Sequence, residues 1–397
     1  MEFGVIVSRG FEKVAVEQIR EILPKINDIR IEDTVVLFKT ERWEDVHEFI
    51  YMSQIANRVI FMIDEIEYEN DDELISKCSL NLPKNTFLKD TLLGGISGFR
   101  VSVRADVHTD VTPLEADIGG AIIDYAKNLD VELKVNLSNP QLDICVYTHN
   151  RAAYIGIDLS GDLAKRDYKL FNNAVSLKGP TAFGLLMTAG YTPDDVFLNP
   201  YCYSGTIEIE AALYSSRTSH RFYNKSFPFM KLPAFVDNNW EKFFEKIDNR
   251  RVGKGKKDER LGKFSITGAD PLLSSITAAV KNAKIAGVES FIDFRRIDID
   301  WLELKFEERS VDKIISFHPG SSKFNTSSLA KNFHELFYNA EYILKDNGVM
   351  IMMCLSKDLL IKQAMEYFSI DRESDVHLGG QVMHILFFKK NTQSVKK

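Results

Sequence analysis

From about residue 178 onward, short apolar runs take turns with stretches whose apolar residues recur every three to four positions. A continuous or alternating apolar run of four to eight residues forms a strand, and a 3.6-period stretch forms a helix with one buried face. Strand and helix in regular alternation leave little choice besides a doubly wound sheet of mostly parallel strands. The expected elements are helix 183–189, strand 196–198, helix 207–215, strand 264–267, helix 273–286 and strand 291–295, then strand 312–317, helix 329–344, strand 349–355, helix 359–367 and strand 384–389. The two strands flanking the last helix are placed to pair with each other. A Rossmann-like sheet with an antiparallel last strand is the expectation.

Residues 1–160 have another texture. Strand 2–8, helix 12–23, strand 29–38, helix 43–52 and strand 58–65 read as a small α+β unit. The acidic stretch 65–73 marks a boundary. Strand 99–104 follows, then helix 113–129 with Thr112 as its N-cap. Strands 134–137 and 142–149 are expected to pair, with Asn139-Pro140 turning the chain between them, before a further strand at 152–158.

A chain of 397 residues is long enough for two or three domains. No run approaches the ~18 apolar residues of a membrane span. The stretch 1–9 alternates and carries Glu2, unlike a basic-then-apolar signal peptide. Cys78, Cys145, Cys202 and Cys354 form no CxxC pair, which argues against a disulfide framework and for a reducing cytoplasm. No HxxxH or HxH spacing occurs, so no metal site is expected. GxSxG and P-loop motifs are missing as well. Residues 1–160 hold 16 Lys+Arg against 28 Asp+Glu, a net of −12, while the remainder carries a net of +5. Nucleic-acid binding draws on Lys and Arg, so a broad RNA-gripping surface is disfavoured in the acidic half.

Four places could carry chemistry. The segment Leu198-Asn199-Pro200-Tyr201-Cys202-Tyr203-Ser204-Gly205-Thr206-Ile207 ends a strand, turns and starts a helix. Small residues there let main-chain N–H groups approach a ligand at a helix N-terminus; a plain strand–helix turn is the alternative, and the lack of GxGxxG disfavours a dinucleotide. Asp270 follows the next strand and has the two acceptor oxygens a vicinal diol requires, or it caps the helix that starts near Pro271. Asp298 follows strand 291–295 and is either an acceptor for an adenine amino group or a surface acid. These three stand at the ends of successive strands, the edge where α/β sheets bind ligands. His318, in Phe317-His318-Pro319-Gly320, is a candidate base or hydrogen-bond donor, or a turn histidine. The basic run 250–263 is a solvated loop or a contact to a nucleic-acid backbone.

Together these residues resemble the THUMP-domain RNA methyltransferases, which methylate the N2 amino group of guanosine in tRNA or rRNA. The resemblance runs from Gly10-Phe11-Glu12-Lys13-Val14-Ala15 through Ile118-Gly119, Asn139-Pro140 and Leu163-Ala164-Lys165-Arg166-Asp167-Tyr168. It continues through Asn199 to Ile207, Glu210-Ala211-Ala212-Leu213, Gly268 to Asp270, and Lys281-Asn282-Ala283-Lys284-Ile285-Ala286-Gly287-Val288. It implies an α/β chain with a ferredoxin-like domain at 1–65, a THUMP domain at 66–160, a linker at 161–180 and a Rossmann-like methyltransferase domain at 181–392. It also implies that S-adenosylmethionine is held by Asn199, Tyr201, Cys202, Ser204, Gly205, Thr206, Asp270 and Asp298. The partner it implies is tRNA or another structured RNA, with no membrane; a protein partner is the other possibility.

This chain departs from the family pattern at three points. The family's cofactor loop begins with Asp and carries a Gly where this chain has Asn199 and Tyr203. The family's catalytic motif is Asn or Asp, Pro, Pro, then an aromatic. Here the catalytic positions are Phe317, His318 and Pro319, followed by Gly320. The THUMP region is acidic. The expected function is therefore guanosine-N2 methylation of RNA. The alternatives are a catalytically inactive homologue that binds RNA or a protein, and a methyltransferase for another acceptor in which His318 is catalytic.

Overall fold

The computed structural model describes residues 1–105, 111–172, 175–250, 264–319 and 326–391. Most of the basic run 250–263, together with Gly320, lies outside them. The chain divides into two units. The first comprises Met1–Val7, Ala15–Leu163 and Asn224–Glu245, and the second Ser8–Val14, Ala164–Tyr223 and Lys246–Lys397.

The first stretch of chain runs β1 (Glu2–Ile6), α1 (Glu12–Ile22), β2 (Ile29–Ile31), β3 (Val35–Lys39), α2 (Trp43–Met52), β4 (Arg58–Glu67), α3 (Asp71–Asn81) and α4 (Thr86–Leu93). It continues with β5 (Gly98–Ala105), α5 (Thr112–Asn128), β6 (Lys134–Val135), β7 (Leu142–His149) and β8 (Ala152–Asp158). All eight strands belong to one sheet, in the order β2-β3-β1-β4-β8-β7-β5-β6. The seam between the segments expected as separate domains is the antiparallel pair β4–β8, closed by a buried ion pair from Arg58 to Asp158. Gly156 is required at this seam, because a Cβ there would lie 2.4 Å from the Phe61 carbonyl oxygen.

Three local expectations are corrected. The single strand 29–38 is a hairpin, since Asp33-Thr34 turns the chain with Thr34 at φ +66° and Glu32 N–H donates to Val35 O. Thr112 lies inside α5, and Val111 takes the N-cap position without a side-chain bond. The strands at 134 and 142 do not pair: both run parallel to β5, one on each side of it. The Gln141 side chain accepts from Ser97 N–H and Gly98 N–H where the chain crosses the end of β5.

The aromatic residues after position 224 pack inside the first unit. Phe229 stacks on His47 of α2 with centroids 4.2 Å apart, and Phe235 and Trp240 meet the same ring edge-on. His47 is 2% exposed, and burial lowers its pKa to about 3.

The second unit runs α6 (Gly179–Thr188), β9 (Val196–Asn199), α7 (Thr206–Ser215), α8 (Trp240–Asp248, which starts in the first unit), β10 (Ser265–Asp270), α9 (Leu273–Ala286) and β11 (Ile292–Arg296). Then come β12 (Val311–His318), α10 (Thr326–Ile343), β13 (Leu344–Cys354), α11 (Asp358–Ala364), β14 (Phe368–Leu378) and β15 (Gln381–Lys390). Strand order is β11-β10-β9-β12-β13-β15-β14. Among the described strands of this sheet, β15 alone is reversed, pairing antiparallel with β13 and β14. The expected pairing of the strands around the last helix is therefore present, with β14 added outside it. β14 escapes a periodicity reading because its middle is a run of exposed polar residues.

Side chains of β9, β12, β13 and β15 meet α10 and α11 in one apolar cluster, among them Leu198, Ile314, Met352, Phe337 and Leu360. The chain builds outward from β9 to β10 and β11, then restarts at β12 on the other side of β9. The crevice at the carboxyl ends of β9 and β12 is thus the topological switch point, where open α/β sheets bind ligands.

Candidate active site

The loop after β9 is held by its own chain. Asn199 Oδ1 accepts from Tyr201 N–H at 3.1 Å and from Ser316 Oγ of β12 at 2.6 Å. Cys202 N–H donates to Ala269 O, and Gly205 N–H to Cys202 O. Gly205 sits at φ +81° and starts α7. A Cβ there would be 2.9 Å from Ala279 Cβ and 3.0 Å from the Phe294 ring, so glycine is required by both conformation and space. Ser204 lies 3.1 Å from Ser176 through their hydroxyls, and its carbonyl accepts from Asn282 Nδ2. Asn282 also exchanges two hydrogen bonds with the Phe171 main chain, which explains why the Lys281-Asn282 segment accompanies the loop. Thr206, the first residue of α7, is buried.

Asp270 ends β10 and is buried. Its Oδ2 accepts from Tyr203 N–H at 3.2 Å and its Oδ1 from Leu272 N–H at 2.9 Å. Burial raises its pKa, opposed by hydrogen bonds from Leu272, Ser275 and Tyr203. It latches the loop and braces the start of α9 at once. Asp298 is exposed at the tip of β11, where its main chain begins a 3-10 turn and its side chain makes no cap bond.

The Tyr201, Tyr203, Phe317 and His318 rings lie together. Tyr201 stacks beside Tyr203 at 6.4 Å and meets His318 edge-on at 5.2 Å. Tyr203 lies 6.4 Å from Phe317, and Phe333 of α10 meets His318 at 5.0 Å. Pro319 is half-buried beside them. Burial lowers the His318 pKa to about 4, so its imidazole is neutral at pH 7. The Tyr203 main chain bonds Asp270, while its ring lies beside Tyr201 and Phe317.

The sequence reading did not single out Glu208. In α7 every residue except Tyr214 is buried, so the two glutamates of Thr206-Ile207-Glu208-Ile209-Glu210 both point inward. Glu210 meets Arg166 at 2.7 Å and the Tyr168 hydroxyl at 2.7 Å. Glu208 is 0% exposed, and neither carboxyl oxygen has a hydrogen-bond partner among the described residues. Burial pushes its pKa up to about 8; its own main-chain amide and the Asn199 amide pull the other way without closing a hydrogen bond. The signal lay in two acids on a helix with no polar face to show them to water. Asn199 Nδ2 and the buried Tyr201 hydroxyl are likewise unpartnered. This edge therefore carries donor and acceptor capacity suited to a polar ligand. Among the described residues no cluster of His, Cys, Asp and Glu could hold a metal ion, and no helix is long and apolar enough to cross a membrane.

Comparison with known proteins agrees with this geometry. The chain is 25% identical over 395 residues to the tRNA (guanine(6)-N2)-methyltransferase of Methanocaldococcus jannaschii, covering 98% of this chain and 99% of that protein. A possible methylase from Clostridium difficile 630 superposes with a TM-score of 0.80 at 22% identity, covering 100% of this chain and 99% of that one. A putative methyltransferase complexed with SAH superposes with a TM-score of 0.79 at 19% identity, again covering 100% and 99%. The model of the RMKL-like methyltransferase domain matches residues 166–383. That span is more than half of the chain and contains the whole switch-point crevice, and the protein belongs to the RMKL-like methyltransferase domain family.

Proposed function

We propose that this protein is a cytoplasmic RNA methyltransferase that uses S-adenosylmethionine to methylate the N2 amino group of a tRNA guanosine. The observation that carries the reading is the meeting of three strand ends at the switch point: Asn199 of β9, Asp270 of β10 and His318 of β12. The name of the Methanocaldococcus jannaschii relative, similar over nearly the full length of both chains, supports the substrate class. We read residues 1–65 as ferredoxin-like, 66–160 as THUMP, 161–180 as linker and 181–392 as catalytic. The common sheet of β1–β8 supports the first two acting as one body.

The unpartnered polar atoms of Asn199 and Tyr201 fit a polar, hydroxyl-bearing cofactor. S-adenosylmethionine supplies an electrophilic methyl group on a sulfonium sulfur. Asp270 would take a ribose hydroxyl, since a carboxylate has about four lone-pair sites and Tyr203, Leu272 and Ser275 donate to it at three. Asp298, exposed at the next tip, would take the adenine amino group. Main-chain groups of Cys202, Ser204, Gly205 and Thr206 would line the helix N-terminus beneath the methionine moiety. Phe317, His318 and Pro319 stand on the acceptor side. There the neutral His318 imidazole is the group able to accept from an N–H, and the Phe317 ring the one able to pack against a base.

Transfer of labelled methyl groups into total tRNA, followed by nucleoside analysis, tests the reading; label in N2-methylguanosine is expected. A second reading is favoured by the packing of Tyr203 against Phe317, which fills the acceptor side with the chain's own rings: an inactive homologue that binds RNA or a protein. Binding of S-adenosylmethionine without transfer, in wild type and in Phe317→Asn alike, would establish that reading. A gel shift that weakens with salt identifies RNA as its partner.

A further inference from the structure

Two glutamates stand one turn into α7, and the structure treats them oppositely. Glu210 has a guanidinium and a phenol to answer its charge. Glu208 has neither. The groups facing it are the Asn199 amide from β9, the Asp270 carboxylate from β10 and the Cys202 thiol from the loop. Beside them are the Phe294 ring and Gly268, where a Cβ would lie 3.0 Å from Glu208 Oε1. None is a cation, and Asp270 repels a second negative charge. An isolated carboxylate in such surroundings holds its proton, in line with a pKa near 8. A carboxyl with no stabilising partner is costly to keep in a core, and this one lies directly beneath the loop that would carry a sulfonium.

We infer that Glu208 is a charge-sensing positioning residue of the loop: it releases its proton to solvent when the cationic cofactor binds, and regains one when the uncharged thioether product replaces it. The inference rests on the cofactor reading above. A buried cation favours the ionised carboxyl, so the bound state holds fewer protons than the free state. Affinity for S-adenosylmethionine then rises with pH until Glu208 is ionised in the free protein as well. S-adenosylhomocysteine has the same ammonium and carboxylate but no sulfonium, so its affinity lacks this component. Glu208 would thereby bias the site toward the charged cofactor over its product.

The test is calorimetric titration of the full chain with each ligand, from about pH 6.5 to about pH 8.5, in two buffers of different ionisation heat. Wild type is expected to release up to about one proton with S-adenosylmethionine and markedly less with S-adenosylhomocysteine. Its affinity for the former should climb by up to about tenfold per pH unit below pH 8. Glu208→Gln should abolish the difference between the ligands in protons released. Glu208→Leu, checked for folding by circular dichroism, gives the same readout if the glutamine variant misfolds. Equal proton release for both ligands in wild type, or an unchanged difference in the variants, overturns the inference and leaves the cofactor reading standing. Failure of both ligands to bind wild type overturns the cofactor reading itself.

Discussion

The main-chain N–H of Tyr203 donates to the Asp270 carboxylate across 3.2 Å. The latch between loop and sheet is therefore made by backbone, and the side chain at 203 is free to be large provided its ring turns toward Tyr201 and Phe317. The cost is conformational: Tyr203 sits at φ +47°, where a residue with a Cβ is strained by roughly 1 kcal/mol or more. Tyr203→Gly removes both the strain and the ring while keeping the N–H. Under the cofactor reading it should tighten S-adenosylmethionine binding by about tenfold, equivalent to ~1.4 kcal/mol. Calorimetry that finds weaker binding would show the ring to be part of the site rather than an obstacle in it.

Arg166 and Glu210 are both 0% exposed in their side chains and 2.7 Å apart. Breaking one side of a buried pair leaves an uncompensated charge, which costs about 3–5 kcal/mol, whereas replacing both with apolar groups costs much less. Arg166→Met should therefore lower the urea midpoint far more than Arg166→Met with Glu210→Met. Equal losses for the single and double variants would mean that the pair contributes through shape alone.

His47 makes the first unit acid-sensitive. Its pKa falls from 6.5 to about 3 on folding, so between those values the unfolded chain binds a proton that the folded chain does not. Stability is complete above pH 6.5 and is lost as pH drops toward 3. His47→Phe should flatten this part of the pH–stability curve by on the order of 5 kcal/mol. Parallel wild-type and variant melts across this range are the check.

Glu208 acts on stability with the opposite sign. Its carboxyl is raised from 4.5 to about 8, so the folded chain binds the extra proton, and stability falls as pH rises from 4.5 through 8. Glu208→Gln should be more stable than wild type at pH 8 by on the order of 4–5 kcal/mol and nearly equal to it near pH 5. Thermal melts without ligand test this apart from any cofactor effect.

Gly184 of α6 faces the Phe11 ring, and an added Cβ would lie 2.7 Å from three of the ring's carbons. Gly184→Ala gains about 1 kcal/mol of helix propensity. Overpacking against a fully buried ring costs about 1–3 kcal/mol, so a net loss in thermal stability is expected. It should be reversed in part by Phe11→Leu.

Periodicity was enough to order the second unit. Helix 273–286 matches α9 to the residue, and the strands ending at Asn199, Asp270 and His318 were placed within a few residues. The alternation reports which face of each element is apolar, and in a parallel α/β sheet that fixes the edge where strand tips gather. It cannot report which strand lies beside which when the partners are distant in sequence. For that reason β6 and β7 looked like a hairpin when each in fact flanks β5, and the aromatic run after residue 224 gave no sign that His47 would be its partner. The same holds for charge. Glu208 and Glu210 look alike in sequence, and only the packed chain supplies Arg166 to one and, among the described residues, no cation to the other, because solvation and pairing are properties of neighbours that folding brings together.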